Sequence, residues 1–405
     1  MKKQFSKYKT LTFLFLLGMF MSVNVLGQEK DKLYEEFNFE FEFEYRYFFK
    51  EGLYPGQKQH FPSIAFRPEY YLEWAEGNQS LNFSGFLRID RDERRTHWDI
   101  REMYWQMVKS NWELSVGAKK VFWGVTESNH LVDIINQTDI VESFDGEAKL
   151  GQPMIHFSYL TKIGTFDLFA MPYFRVRIYP GEMGRLRPPF LLEKSDFSFQ
   201  SDLEEWHPDF AIRWSNSINV FDIGISHFYG TGREPLILFN NEGNVTDLIY
   251  PIIHQTGLDL QATTGPVLWK FEGISRLNEY QNVIAFVSGL EYTFGNVKNS
   301  GIDIGLISEY LYDSRGDLAF SSLANDLFVG SRIAFNDSQS TEFLFGGIFD
   351  LEKSSKIFSL EASRRFGEDW KVSVEARIMS NIEDTEFLYF FRDDSFVSVQ
   401  VLKFF

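Results

Sequence analysis

The residues able to do covalent or metal chemistry are few and scattered. The chain has seven histidines, at His60, His97, His130, His156, His207, His227 and His254, and no cysteine. The lack of cysteine excludes disulfides, thiolate zinc sites and cysteine nucleophiles. There is no HExxH and no GxSxG sequence. His156 and Ser158 share one face of an alternating segment, but one such pair is expected by chance in a chain of this length. The run Gly230-Thr-Gly-Arg-Glu-Pro235 reads as a turn, because it lacks the Lys-Ser/Thr pair and following helix of a phosphate loop. These residues predict no enzyme, no metal site and no cofactor.

Charge is the chemistry that the chain does carry in quantity. Arg67, Arg88, Arg101, Arg213, Lys270, Arg276, Arg332 and Arg377 fall on the polar face of alternating segments. Glu69, Asp90, Asp99, Asp259, Glu272, Glu291, Glu309, Glu342 and Glu375 fall on the same kind of face. One reading is a polar wall whose charges pair across neighbouring strands. The sharper reading is an arginine ladder that passes anionic solutes. The cluster Arg88–Arg95 lies at a hairpin and reads either as a solvated tip or as a site for lipopolysaccharide phosphates or a substrate. Arg175, Arg177, Arg185 and Arg187 sit close together near Pro188 and Pro189, which suggests an anion-attracting vestibule.

The segment 121–139 stands apart because it does not alternate. It contains Trp123, Glu127, Asp133, Asn136 and Asp139, and its Leu131, Ile134 and Ile135 have helical spacing. It is too apolar to float in water. The expectation is that it folds back and narrows a lumen, with a loop packed on other loops as the alternative.

The elements that must position these groups are read from period two. Phe37, Phe39, Phe41, Phe43, Tyr45 and Tyr47 alternate with Asn38, Glu40, Glu42, Glu44 and Arg46, which puts aromatics on one face and polar groups on the other. About eleven residues of this kind are what a tilted strand needs to cross a bilayer. The pattern recurs near 36–48, 61–74, 80–91, 96–107, 111–120, 153–162, 165–174, 206–216, 219–229, 254–263, 267–276, 281–294, 300–312, 326–337, 341–350, 355–366, 369–379 and 395–405. The phase slips near Glu102, which predicts a β-bulge. Alternate connections are short, and the others include the long ones. The fold class expected is therefore all-β, a transmembrane antiparallel β-barrel of about eighteen strands (sixteen as the alternative), with a lumen-folded loop.

Composition agrees with this reading. No apolar run of eighteen residues follows the N-terminal segment, so no transmembrane helix is expected. Aromatics make up 18% of the chain, with 44 Phe, as lipid-facing surfaces and interfacial girdles require. The alternative is an aromatic-rich soluble β-protein. Lys2, Lys3, Lys7 and Lys9 precede an apolar stretch from Leu11 to Val25, which reads as a signal peptide over 1–27 cleaved after Gly27. Residues 28–405 then form one barrel domain. The chain carries −17, and the four lysines leave with the leader, so the remainder stands near −21. Such a charge excludes nucleic acid as a partner.

Phe405 closes the last alternating run and resembles the terminal aromatic read by the barrel-assembly machinery. Trp123-Gly124 followed by Asn136-Gln-Thr-Asp139 resembles an uncharacterised group of bacterial outer-membrane porin-like proteins. So do Gln255-Thr-Gly-Leu-Asp-Leu-Gln261 with Lys270-Phe-Glu272, and Asn325–Arg332 with Asn336-Asp337. The architecture is also similar to alginate-export barrels. The resemblance implies a Gram-negative outer-membrane location, contact with lipid and lipopolysaccharide, and passive diffusion of small polar or anionic solutes. The glutamine after the cleavage site and the high Phe content suggest a Bacteroidota-like source. The other class of function is a barrel that serves as a partner subunit or surface-binding protein, through 175–205 and 230–253. Solute and oligomeric state stay open.

Overall fold

The computed structural model describes residues 33–239, 245–316 and 323–405. The expected signal peptide lies outside the described residues, as do parts of the 230–253 and 313–325 connections. The strands in chain order are β1 (Tyr34–Phe48), β2 (His60–Trp74), β3 (Gln79–Ile89), β4 (His97–Val108), β5 (Trp112–Lys119), β6 (Gln152–Thr161) and β7 (Gly164–Met171). They continue with β8 (Ser198–Phe199), β9 (Asp209–Ile218), β10 (Phe221–Thr231), β11 (Leu236–Phe239), β12 (Val245–Tyr250), β13 (Ile252–Thr264) and β14 (Val267–Leu277). The last are β15 (Asn282–Phe294), β16 (Asp303–Asp313), β17 (Asn325–Ala334), β18 (Glu342–Asp350), β19 (Lys356–Phe366), β20 (Trp370–Ser380) and β21 (Phe396–Phe404).

Eighteen of these strands form one sheet, closed into a barrel where β1 pairs antiparallel with β21. The small strands β8, β11 and β12 form a separate sheet within the long connections. Each of the eighteen expected segments is a barrel strand, so the sixteen-strand alternative falls. Connections at one end are short turns, such as 162–163, 219–220 and 265–266. Those at the other end include 120–151, 172–208, 232–251 and 381–395.

The faces sort as an inside-out protein. On β1, Glu42 and Glu44 are 2% and 0% exposed, while Phe43 and Tyr45, which alternate with them, are 43% and 38% exposed. On β14, Glu272 is fully covered and Trp269 is 48% exposed. An apolar exterior around a polar interior is stable in lipid, where closure also leaves no strand edge unpaired. A soluble sheet would bury the aromatic face instead, so the soluble alternative fails on this geometry.

The phase slip is a bulge. Ser84 pairs with Glu102 and Gly85 with Ile100, leaving Arg101 as the extra residue on β4. The insertion lets two adjacent side chains serve the same loop. Arg101 bonds Asp139 at 2.5 Å, and Glu102 accepts the Lys120 N–H at 3.1 Å.

At the seam, Phe39 and Phe405 exchange backbone hydrogen bonds of 3.3 and 3.0 Å, and their rings stack with centroids 4.3 Å apart. Deletion of Phe405 removes both bonds and the stacked pair. The expected outcome is a lower temperature for loss of the compact, heat-modifiable band on gels, together with slower folding into lipid vesicles. An unchanged transition would show that the seam is held elsewhere.

Candidate functional site

The interior is organised around the connection between β5 and β6, residues 120–151. Val125 and Thr126 donate their N–H groups to Glu272 Oε1 at 2.6 and 2.9 Å, and the Thr126 hydroxyl adds a third bond at 2.8 Å. Glu127 and Ser128 donate theirs to the two oxygens of Glu309, each at 2.8 Å, and the Ser128 hydroxyl bonds Oε2 at 2.6 Å. Four consecutive backbone donors thus clasp two wall carboxylates. Glu309 stands on β16, eight strands around the ring of eighteen from β5. The segment therefore crosses the lumen almost diametrically.

The helical spacing of Leu131, Ile134 and Ile135 does not produce a helix. The backbone donors go to side chains instead. Val121 N–H bonds Asn136 Oδ1 at 2.8 Å; Trp123 and Gly124 bond Asp133 Oδ1 at 2.6 and 3.1 Å; Val132 bonds Glu272 Oε2 at 3.1 Å. Asn136 also donates to the carbonyls of Lys119 and Leu150 at 2.9 and 2.8 Å, which ties the root of the loop together. The apolar residues are spent on the wall: Val132, Ile134 and Ile135 pack with Met154, Phe169, Met171, Phe228, Ile253 and Ile274. A chain whose donors are met by carboxylates gains nothing further from an i to i−4 ladder.

A second network fixes the far end of the loop. Arg88 bonds Glu42 at 2.8 Å, Glu44 at 2.8 Å and Glu142 at 2.5 Å, and is 1% exposed. Arg67 joins Glu40, Glu42 and Glu142. Arg95 bridges Glu44 and Asp90 at 2.6 and 2.7 Å. The Arg88–Arg95 cluster is only in part a solvated tip: Arg91 and Glu93 are exposed, whereas Arg88 and Arg95 are buried on the carboxylates of β1, and Asp92 is buried on the N–H groups of Arg94 and Gly181. Glu142 is the partner that sequence reading missed. It has no strand periodicity to mark it, and its pairs lie 54 residues away at Arg88.

The remaining candidates separate into distinct places. Arg213 forms a two-pronged pair with Asp259 at 2.6 and 2.7 Å beneath the Trp123 ring. Gly224 lies under this pair, where a Cβ would fall 2.2 Å from the Arg213 guanidinium and displace it. Arg332 meets Glu127 at 2.6 Å, and Arg377 meets Asp145, Glu361 and Glu375 at 2.7, 2.8 and 3.1 Å. With Arg88, Arg101, Arg213, Arg332 and Arg377 all paired, no open arginine ladder lines a path among the described residues. The four loop arginines do not form one vestibule either. Arg185 is buried against Asp394 at 2.6 Å and three carbonyls, Arg187 lies over Tyr54, and Arg175 pairs with Asp99 at 2.7 Å. Only Arg177 of the four lines the cavity above the inward loop. His156 pairs with Asp167 at 2.9 Å and stacks on Phe169, which accounts for it without Ser158.

Electrostatics hold the loop in one charge state. Burial opposes a charge on His130, but Glu147 and Glu272 outweigh it and raise its pKa to about 10. Burial likewise opposes the Asp139 carboxylate, yet His97 and Arg101 hold it down at about 2. Glu142 is pulled below the usual range by Arg88, Arg95 and Arg67 against its burial. A raised histidine stabilises the fold fully below its unfolded pKa of about 6.5 and loses that contribution as pH climbs through its folded value. A depressed carboxylate does the reverse, and for Asp139 the loss comes only as pH falls towards about 2.

Two outcomes follow. The His130 ring, followed by NMR in micelles, should titrate near pH 10 rather than 6.5, and His130→Gln should expose the 124–132 segment to limited proteolysis at neutral pH. Titration near 6.5 would show that the Glu147 and Glu272 contacts do not form. Arg88→Ala removes the guanidinium shared by Glu42, Glu44 and Glu142 and leaves them to Arg67, Arg95 and Arg46; the cost in urea unfolding should approach about 3–5 kcal/mol, that of a broken buried pair. Adding Glu142→Gln to that variant should recover part of the loss.

Comparisons with known proteins fit this geometry at the level of fold. No family model matches the chain, and no curated protein matches its sequence. Among solved structures it is similar to OccD3 (OpdP) of Pseudomonas aeruginosa, with a TM-score of 0.54 and 8% identity, over 92% of this chain and 90% of that one. It is also similar to Wzi of Escherichia coli, an outer membrane protein involved in group 1 capsule assembly and described as a carbohydrate-binding β-barrel. There the TM-score is 0.51 with 10% identity, over 90% of this chain and 83% of that one. The chain therefore has the closed antiparallel barrel fold of outer-membrane porins and related barrels.

Proposed function

We propose that the protein is an outer-membrane channel for passive diffusion of small polar or charged solutes, in which the 120–151 loop sets the cutoff. The observation that carries this reading is the course of the loop from its root on β5 to the opposite wall, where residues 125–128 are held to Glu272 and Glu309. Polar spaces lie on both flanks of the crossing. One of about 320 Å³ is lined by Arg332, Glu361, Lys371 and Glu375, and a wider one of about 590 Å³ by Asp167, Arg213 and Asp222. Since the arginines are paired with carboxylates, selectivity by charge is weak and the loop selects mainly by size. The basic and apolar leader over 1–27 supports export, and the terminal Phe405 supports recognition by the barrel-assembly machinery of a Gram-negative, Bacteroidota-like cell. Lipid and lipopolysaccharide are then the surroundings of its apolar exterior.

A second reading is a surface-binding barrel without an open channel. It draws on the Wzi likeness and on the packing of long connections over one end. There Phe48, Phe61, Leu186, Leu388, Phe391 and Phe396 form one apolar cluster, and Phe174, Tyr179, Leu192, Phe197 and Tyr250 another.

Planar-bilayer recordings separate the two. The channel reading expects discrete conductance steps with a small reversal potential in a KCl gradient. The double variant Glu272→Gln, Glu309→Gln replaces charge-assisted bonds with weaker neutral ones, so its steps should be larger. A folded wild-type barrel with no steps, and steps only in the double variant, would sink the resting channel and favour the binding reading.

A further inference from the structure

The inward loop hides its apolar side chains with one exception. Trp123, Val132, Ile134 and Ile135 are buried, and Val121 packs against them. Phe122, between Val121 and Trp123, is 54% exposed. No other apolar residue of 120–151 is exposed. Its ring borders the space of about 590 Å³ on the short-turn side of the loop, near the 162–163 and 219–220 turns. Leu160 borders the same space at 58% exposed, on the face of β6 that carries His156. Exposed apolar groups are ordinary on the lipid face of a barrel. In its polar lumen they forgo burial, and a solute with an apolar face restores it.

The rest of this space is bounded by polar groups of β7, β9 and β10, and its charges are mostly spent. Arg213 is committed to Asp259, and His156 to Asp167. Thr165 and Ser215 are cross-strand partners that share inward faces with Asp167 and Arg213. Neither hydroxyl has a bond among the described residues. Asp222 stands opposite Ser217, nearer the turn. Its Oδ1 accepts the Ser217 hydroxyl, and its Oδ2 has no donor among the described residues. Thr165 and Ser215 are only half-buried and Asp222 is exposed, so all three can meet a solute.

These groups favour one kind of solute. An aromatic platform beside hydroxyls and a carboxylate oxygen suits a ring with an apolar C–H face and hydroxyls at its edge. An anion meets the carboxylates of Asp167, Asp222 and Asp259, and the single arginine is already taken. A small cation uses Asp222 and leaves the hydroxyls idle. An aromatic solute covers Phe122 and leaves Thr165, Ser215 and Asp222 unmet. A linear polyol has hydroxyls and no apolar face.

We propose that this space is a binding site for a neutral sugar of one or two pyranose rings, with a C–H face on Phe122 and hydroxyls on Asp222 Oδ2, Ser215 and Thr165. A space of this size accepts a ligand of one or two rings. The proposal deepens the channel reading and rests on it, since the sugar is the solute that the loop admits.

The test is NMR on the refolded protein in amine-oxide micelles, which carry no sugar. Maltose, sorbitol, choline and benzoate are titrated, with saturation transferred from the aromatic protons. Maltose should receive saturation at its ring C–H positions and bind at least about 10-fold more tightly than the other three. Phe122→Ala and Asp222→Asn should each weaken maltose about 10-fold, and Phe122→Trp should bind it at least as tightly as the wild type. Heat-modifiable gel mobility reports that each variant is folded. No maltose binding, equal binding of sorbitol, choline or benzoate, or unchanged affinity in folded Phe122→Ala would overturn the site. Bilayer recordings on the same preparation keep the two ideas apart. Conductance steps without maltose binding remove the site and leave the channel, whereas maltose binding without steps keeps the site and removes the channel.

Discussion

Everything inside this barrel depends on one constraint: carboxylates that point inward from the strands must find donors where little water reaches them. Glu272 and Glu309 are 0% and 1% exposed, and their donors are backbone N–H groups of a single loop. An ionised group buried without partners costs several kcal/mol. The wall therefore selects the loop's conformation, and the loop in turn makes the wall's charge tolerable. Neither is stable alone in the form seen. The same reciprocity holds on the other side of the lumen, where Glu142 from the loop completes the guanidinium shell of Arg88 and β1 supplies Glu42 and Glu44.

This coupling explains why the inward segment has so little regular structure and yet is well packed. Its donors point in several directions because the acceptors stand on different strands. Its apolar residues fill the space between them, with Val132 fully buried and Gly257 on β13 leaving room for it: a Cβ there would lie 3.3 Å from the Val132 side chain. Rigidity comes from many charge-assisted bonds distributed around the ring. Such a loop has few intermediate positions. It is seated on Glu272 and Glu309, or it has lost several bonds together.

The barrel was legible in the sequence because membrane strands repeat every two residues and lipid requires one face to be apolar throughout. The bulge at Arg101 was legible for the same reason, as a break in that phase. The inward course of 121–139 could be read from apolar content without alternation. Its partners could not, since the pairing of Glu309 with Ser128 spans 181 residues and leaves no local pattern. The arginine ladder was a reading of composition on one face. It failed because a count of arginines says nothing about which carboxylates stand within reach. Arg185 and Asp394, 209 residues apart, show the same limit. Only register and loop path bring them together.

Charge pairing also decides what a passing solute would feel. The chain has a formal charge of −17, which taken alone would suggest a cation pathway. Fields inside a narrow polar space are set by nearby groups whose charge is not cancelled, since paired charges act as short-range dipoles. Arg213 with Asp259 and Arg377 with its three carboxylates are largely self-contained. Arg177 and Lys149 are held less closely, with Glu234 and Asp133 as the carboxylates that act on them.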